Sequence, residues 1–248
     1  MFLGVVPYNY DLNLLPGVVQ YGDVIHPSFP YIDQSSRQLP EYLTTLNSED
    51  NTAAIGTRTF DFLHFDYEFV KSCLYYCQKH HAQECRPKQS RPLKRLRVID
   101  CKTNTIIVAP SNFQYVALSY VCGENANSLN RRATASNEIA HAHKVVLDSM
   151  ETTLKIGFRY LWVDRYCINQ WDAEDRLSQI QQMDEVYANA QITIIAAAGH
   201  GPHHGLPGTR DTTRSQRPML DLGGKKWVPA LGYAAWLVHH SKWAKRGW

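Results

Sequence analysis

No stretch of the 248-residue chain approaches the roughly 18 consecutive apolar residues of a membrane-spanning helix. The opening MFLGVVPYNY has no basic segment ahead of its short apolar run and is interrupted by Pro7, which argues against a secretory signal. Cysteine is sparse, with six residues (Cys73, Cys77, Cys85, Cys101, Cys122 and Cys167). That is too few for a disulfide scaffold at this length, so the thiols read as reduced in a cytoplasmic protein. An excess of either charge is also missing: the formal net charge is +3, too weak to argue by itself for nucleic acid or a membrane surface. The basic run at 86–97 lacks interleaved aromatics and reads as a solvated linker, so nucleic acid is not an expected partner. There is no GxGxxG and no GxxxxGK[ST], which leaves classical dinucleotide and P-loop readings without support. No internal repeat is visible. What remains, at 44% apolar and 20% charged, is the composition of a globular protein long enough to bury a sizeable core.

The chain is organised around residues 157–199, GFRYLWVDRYCINQWDAEDRLSQIQQMDEVYANAQITIIAAAG. YLWV at 160–163 is a short run of aromatic and β-branched residues, the composition of a buried strand. Asp164 and Arg165 end it with charge. Leu177, Ile180, Met183, Tyr187 and Ala190 then recur at steps of three or four, which predicts one buried helical face. QITIIAAA at 191–198 predicts a second strand. Strand, loop, helix and strand make a βαβ unit.

In an open parallel sheet, ligands gather beyond the carboxyl ends of the strands. Asp164, Arg165, Cys167, Asn169, Gln170, Asp172, Glu174, Asp175 and Arg176 all fall in that region. Asp172, Glu174 and Asp175 also fit ordinary helix-start chemistry. Asp164 is harder to dismiss, because a carboxylate ending an apolar strand needs a partner or a task. Cys167 as a nucleophile lacks an identifiable base.

Elsewhere the sequence reads in three parts. Residues 1–58 carry prolines at 7, 16, 27, 30 and 40 and no sustained period, so they read as an irregular extension with room for short strands. Residues 59–95 combine a helix, with Phe62, Phe65, Phe69, Cys73, Tyr76 or Cys77, and His80 at helical spacing, and the basic linker. From 96 onward comes the main domain. LRVID and TIIV form a hairpin turned by Lys102, Thr103 and Asn104; YVALSYV at 115–121 is a strand; residues 138–156 form a helix. A Gly- and His-rich loop occupies 200–208, and a further strand is expected at 226–229. The expected fold is α/β, with a central, mainly parallel sheet flanked by helices.

No metal site is expected. Cys73, Cys77, His81 and Cys85 would share one helix face but spread over roughly 18 Å, too far for one zinc ion. They read instead as small thiols packed on the core. His200, His203 and His204 form a loop cluster that is likewise not expected to hold a metal.

Three ordered segments resemble one family. YVALSYVCG at 115–123 is similar to the ALSYxWG signature of the fungal heterokaryon-incompatibility (HET) domain. Residues 157–199 resemble its second block, RYLWIDxLCIxQ…QIxxMxxIYxxAxxTIxA, and the terminal SKWAKRGW resembles the start of its SxWxxRGWTxQE block. CQKHHAQEC and LRVID match segments found upstream, so the resemblance covers about 73–248. Cys122 stands where the family usually has Trp, and the chain stops at Trp248 inside the last block, ahead of the expected Gln and Glu. The resemblance implies a fungal effector domain that triggers growth arrest or cell death in non-self recognition.

A more distant resemblance is to TIR domains, where a DVFLSF-like strand, a strand ending in Asp and a SxWCxxE motif occur in the same order. It implies a flavodoxin-like strand order and NAD as a substrate split at the nicotinamide bond, the matching glutamate falling beyond Trp248. On that reading Asp164 is the catalytic candidate in this chain. Ser119, Tyr120, Gly123, Asp164, Arg165, Gln170, Arg176 and Trp243 would line a nucleotide site: Gly123 permits close approach, Asp164 accepts from ribose hydroxyls, Arg165 or Arg176 neutralises phosphate, and Trp243 packs on a base. Tyr120, Trp162 and Trp243 equally suit a core. The alternative is a non-catalytic module that signals by self-association or through a partner protein.

Overall fold

A computed structural model describes residues 2–5, 18–21, 24–27, 42–45, 63–80, 93–123, 139, 142–214, 220–222, 225–230 and 238–245. Expectations for the remainder, including His81, Cys85, most of the basic linker and the polar stretch at 124–137, lie outside the described residues.

YVALSY becomes β7 (Tyr115–Tyr120), buried at every position. That is the pattern of a central strand covered on both faces. YLWV becomes β8 (Tyr160–Val163), and β9 (Ile192–Ala196) is likewise buried throughout. β8 and β9 both pair parallel with β7, on opposite sides: Leu118 lies opposite Val163 on one edge and Ile194 on the other. β1 (Phe2–Val5) adds a fourth parallel strand beyond β9, so this part of the amino-terminal extension belongs to the main sheet. The hairpin of β5 (Arg97–Asp100) and β6 (Thr105–Val108) completes the other edge antiparallel, giving the order β1-β9-β7-β8-β5-β6. The fold is α/β and the contiguous centre of the sheet is parallel.

A second, antiparallel sheet takes three more strands of the extension, β2 (Val18–Tyr21), β3 (Val24–Pro27) and β4 (Tyr42–Thr45). They join β10 (Leu220–Leu222) and β11 (Lys225–Ala230) in the order β10-β11-β4-β3-β2.

The helices are α1 (Tyr67–His80), α2 (Lys144–Lys155), α3 (Asp164–Cys167), α4 (Ala173–Gln181) and α5 (Met183–Asn189). α2 packs against β7 and β8 through Val145, Val146 and Met150. Val116, Leu118, Leu161, Trp162, Val163 and Ile194 are essentially sealed from solvent. Burying each such large side chain contributes about 1.5–3 kcal/mol.

Three helical expectations need correction. The segment 173–190 is two helices broken at Gln182, and Leu177 and Ile180 are 58% and 49% exposed rather than buried. α4 is held inward by polar contacts instead: Gln179 and Gln182 donate to the Lys94 carbonyl at 3.0 and 2.9 Å, and Arg97 pairs with Asp175 at 3.5 Å. Only after the break do Met183, Val186 and Ala190 meet the core. In α1 the buried residues are Val70 and Leu74, one position off the expected stripe, leaving Phe69 and Tyr76 exposed. The helix starts later than its periodicity suggests, because Asp66 caps the Phe69 amide at 2.8 Å. The helix expected over 138–156 is α2 and begins at Lys144, which makes His143 its N-cap residue.

Among the described residues no helix is long and apolar enough to cross a membrane.

Candidate functional site

β7 leads through α2 to β8 on one side, while β8 leads through α3, α4 and α5 to β9 on the other side of β7. The chain therefore reverses its direction of travel between β7 and β9, and such a switch point opens a crevice at the carboxyl ends of the strands. The loop after β7 and the loop after β9 meet there. Gly123 has φ +75°, and a Cβ on it would stand 3.3 Å from Pro202 Cδ. A left-handed backbone in close contact with a ring is a position that glycine fills without strain. The Pro202 carbonyl in turn accepts from the Val145 amide at 3.0 Å, fixing this loop to the first turn of α2.

The side chains that converge here come from five segments. Ser119, 2% exposed, ends β7 and accepts from Trp243 Nε1 at 2.8 Å, so the carboxyl-terminal turn is tied to the sheet at this point. Tyr120 is buried beside it; burial first, then Asp164, Cys122 and Tyr166, push its phenol far above the usual range. Asp164 opens α3, half-buried, and its Oδ1 accepts from the Arg165 amide at 2.6 Å. Arg165 and Tyr166 are buried on α3, and Tyr166 Oη accepts from the His143 amide at 3.3 Å. His143 meets the exposed His203 edge-on, ring centroids 4.9 Å apart.

Ser119, Tyr120, Gly123, Asp164, Arg165 and Trp243 thus gather at one end of the sheet. Gln170 instead turns back on the chain, donating to the Ile168 carbonyl at 3.3 Å. Arg176 is exposed on α4, and no contact between it and the crevice is found among the described residues. Asp172 is the cap of α4, accepting from the amides of Glu174 and Asp175 at 3.0 Å each. Cys167 is 1% exposed, accepts from the Val163 amide at 3.3 Å, and has its thiol pushed up by burial to about 12. It stays a thiol at neutral pH, which removes it as a nucleophile. Trp162 is a core residue, packed edge-on against Tyr187 at 5.3 Å between centroids.

Sequence reasoning overlooked His143 and Tyr166 and grouped His203 only with its loop neighbours. The HAHK run ahead of the apolar positions of α2 was the available signal for His143. Asp148, also overlooked, is fully buried on α2; its Oδ2 accepts from the Leu206 amide at 2.8 Å and Thr212 Oγ1 at 2.7 Å. It pins the loop that carries His203. Among the described residues no three His, Cys, Asp or Glu side chains are grouped as a metal ion would require. A separate open groove of about 570 Å³, lined by Ile139, Leu147, Met150, Leu154 and Arg210 among others, lies along the other end of α2.

These features define a class: an α/β domain whose parallel central strands end in a cluster of buried polar side chains. The sequence family described as "Heterokaryon incompatibility protein (HET)" matches residues 115–248, more than half of the chain, and the chain belongs to that family. A curated relative, "Heterokaryon incompatibility protein 6, OR allele" from Neurospora crassa, is 23% identical over 123 residues, which is 44% of this chain and 17% of the relative. The matched part is therefore less than a fifth of that relative's length. No solved structure matches.

Proposed function

We propose that this chain is the effector domain of a fungal incompatibility protein, acting in the cytoplasm to arrest growth or kill the cell after non-self fusion, and that its crevice takes NAD or a related nucleotide. Family membership supports the role. One observation carries the chemistry: the Asp164 carboxylate acts on Tyr120 at the end of β7, next to Ser119, which accepts a hydrogen bond from Trp243. In this reading Asp164 accepts from ribose hydroxyls and takes part in cleaving the nicotinamide bond, while Arg165 lies on the phosphate side.

Expressing the full-length protein and its Asp164→Asn variant in fungal cells, with NAD followed over time, tests this. The wild type should lose NAD as growth stops, and the variant, with unchanged melting temperature, should do neither. Growth arrest with NAD intact would overturn the catalytic reading.

A second reading is self-association without catalysis. It is favoured by Trp171, Leu177 and Ile180, which lie exposed around α4 at 58%, 58% and 49%. A toxic protein that sediments only as a monomer would exclude it.

A further inference from the structure

His143 is the group that the nucleotide reading leaves unused. It is 6% exposed, and its Nε2 has no hydrogen-bond partner. A buried ring nitrogen without a partner costs free energy and calls for a ligand. The residue occupies the N-cap position of α2 without a side-chain capping hydrogen bond, at the positive end of a 12-residue helix. The charged groups that act on the ring are Arg165 from α3 and His203 from the loop after β9; burial, then these two, hold its pKa below the ordinary histidine value. Tyr166 of α3 contacts its backbone, and Lys144 follows it in α2. The Asp164 carboxylate acts on Tyr120 and Cys167 instead, so the crevice has an acidic side and a cationic side.

We propose that the cationic side is an oxyanion site: His143 Nε2 and the His203 imidazole donate to a phosphate or diphosphate group, with the Arg165 guanidinium supplying charge beside them. Two imidazoles and a guanidinium from three segments lie close enough to act on one another, an arrangement that stabilises bound negative charge. His203, being exposed, gives the ligand its way in. The inference rests on the nucleotide reading for the source of that phosphate, and not for the site itself. An anion beside His143 favours its protonated form, opposing the lowering by burial, so binding strengthens as pH falls from about 7.5 to about 6.

The test is a titration of the folded protein with inorganic pyrophosphate, followed by NMR of the histidine rings. Saturable shifts of both rings, with a raised apparent pKa at His143, are expected. His203→Gln and His143→Gln should each weaken binding about tenfold, the loss expected for one charge-assisted hydrogen bond, while His200→Gln should leave it unchanged. His203 is exposed, so its variant remains informative if His143→Gln fails to fold. Shifts that never saturate, or that persist in His203→Gln, overturn the proposal. ADP-ribose competing with pyrophosphate identifies a nucleotide phosphate; failure to compete identifies a free phosphate ligand. Pyrophosphate binding without NAD loss in cells keeps this site and removes the NAD reading. NAD loss undiminished in His203→Gln, with no pyrophosphate binding, does the opposite.

Discussion

The indole nitrogen of Trp243 donates to the hydroxyl of Ser119 at 2.8 Å, across 124 residues of chain. Ser119 is 2% exposed, whereas Trp243 is half-buried. The two ends of this bond therefore differ in what their loss leaves behind. Trp243→Phe strands a buried hydroxyl and should cost about 1–3 kcal/mol, while Ser119→Ala leaves an indole that water can reach and should cost about 1 kcal/mol or less. Urea unfolding of both variants checks the order; the reverse order would mean that the hydroxyl finds another partner.

Gly123 and Gly157 separate backbone strain from contact. Both have positive φ, +75° and +96°, but a Cβ at Gly123 meets Pro202 while one at Gly157 has nothing within 4 Å. Each substitution to alanine carries a conformational cost of about 1–2 kcal/mol. Gly123→Ala should exceed Gly157→Ala in equilibrium unfolding, and should alone disturb the backbone amide signals of 200–208.

Alkylation of the native protein should separate the cysteines. Cys101 and Cys167 are buried with thiols pushed up by burial to about 12, so both should resist iodoacetamide until unfolding. Cys73, Cys77 and Cys122 are half-buried and should react first. Mass spectrometry after a timed pulse reads this, and early labelling of Cys167 would contradict the buried thiol described above.

Asp100 and Arg159 predict a pH dependence. Arg159 Nε and a terminal nitrogen donate to the Asp100 carboxylate at 2.6–3.1 Å, and the guanidinium holds its pKa below the ordinary 3.8. A lowered folded pKa means that the stabilisation is fully present above the unfolded value and is lost as pH falls through the folded one. Arg159→Gln should lower the melting temperature by a few degrees at pH 7, and the gap to wild type should close below pH 3.8. A gap that persists at pH 2 would assign the effect to packing of Arg159 over Tyr160 instead, where the guanidinium lies 5.5 Å from the ring centroid.

Much of the sheet was legible because its central strands are short, continuous apolar runs bounded by charge or glycine. YVALSY, YLWV and ITIIA could hardly be placed anywhere but a doubly covered sheet. The hairpin turn at 102–104 was equally plain, with Asn104 in the left-handed region at φ 56°. Helix faces were less legible. Leu177 and Ile180 fit the same period as Met183 and Tyr187, yet a break at Gln182 and the polar hold on Lys94 turn them outward. Periodicity records which residues share a face, not which face meets the core.

For the site, the chain order of Ser119, Tyr120, Asp164 and Trp243 was evident from the motifs that contain them. Their meeting was not. The sequence by itself determined the strands, the carboxylate at the end of β8 and the glycine after β7, because these depend on local composition and backbone freedom. Only the tertiary structure decided that β9 crosses to the far side of β7, which brings Pro202 onto Gly123 and His203 onto His143. Strand order follows from how buried faces pack over the whole sheet, and that balance is written in no single segment.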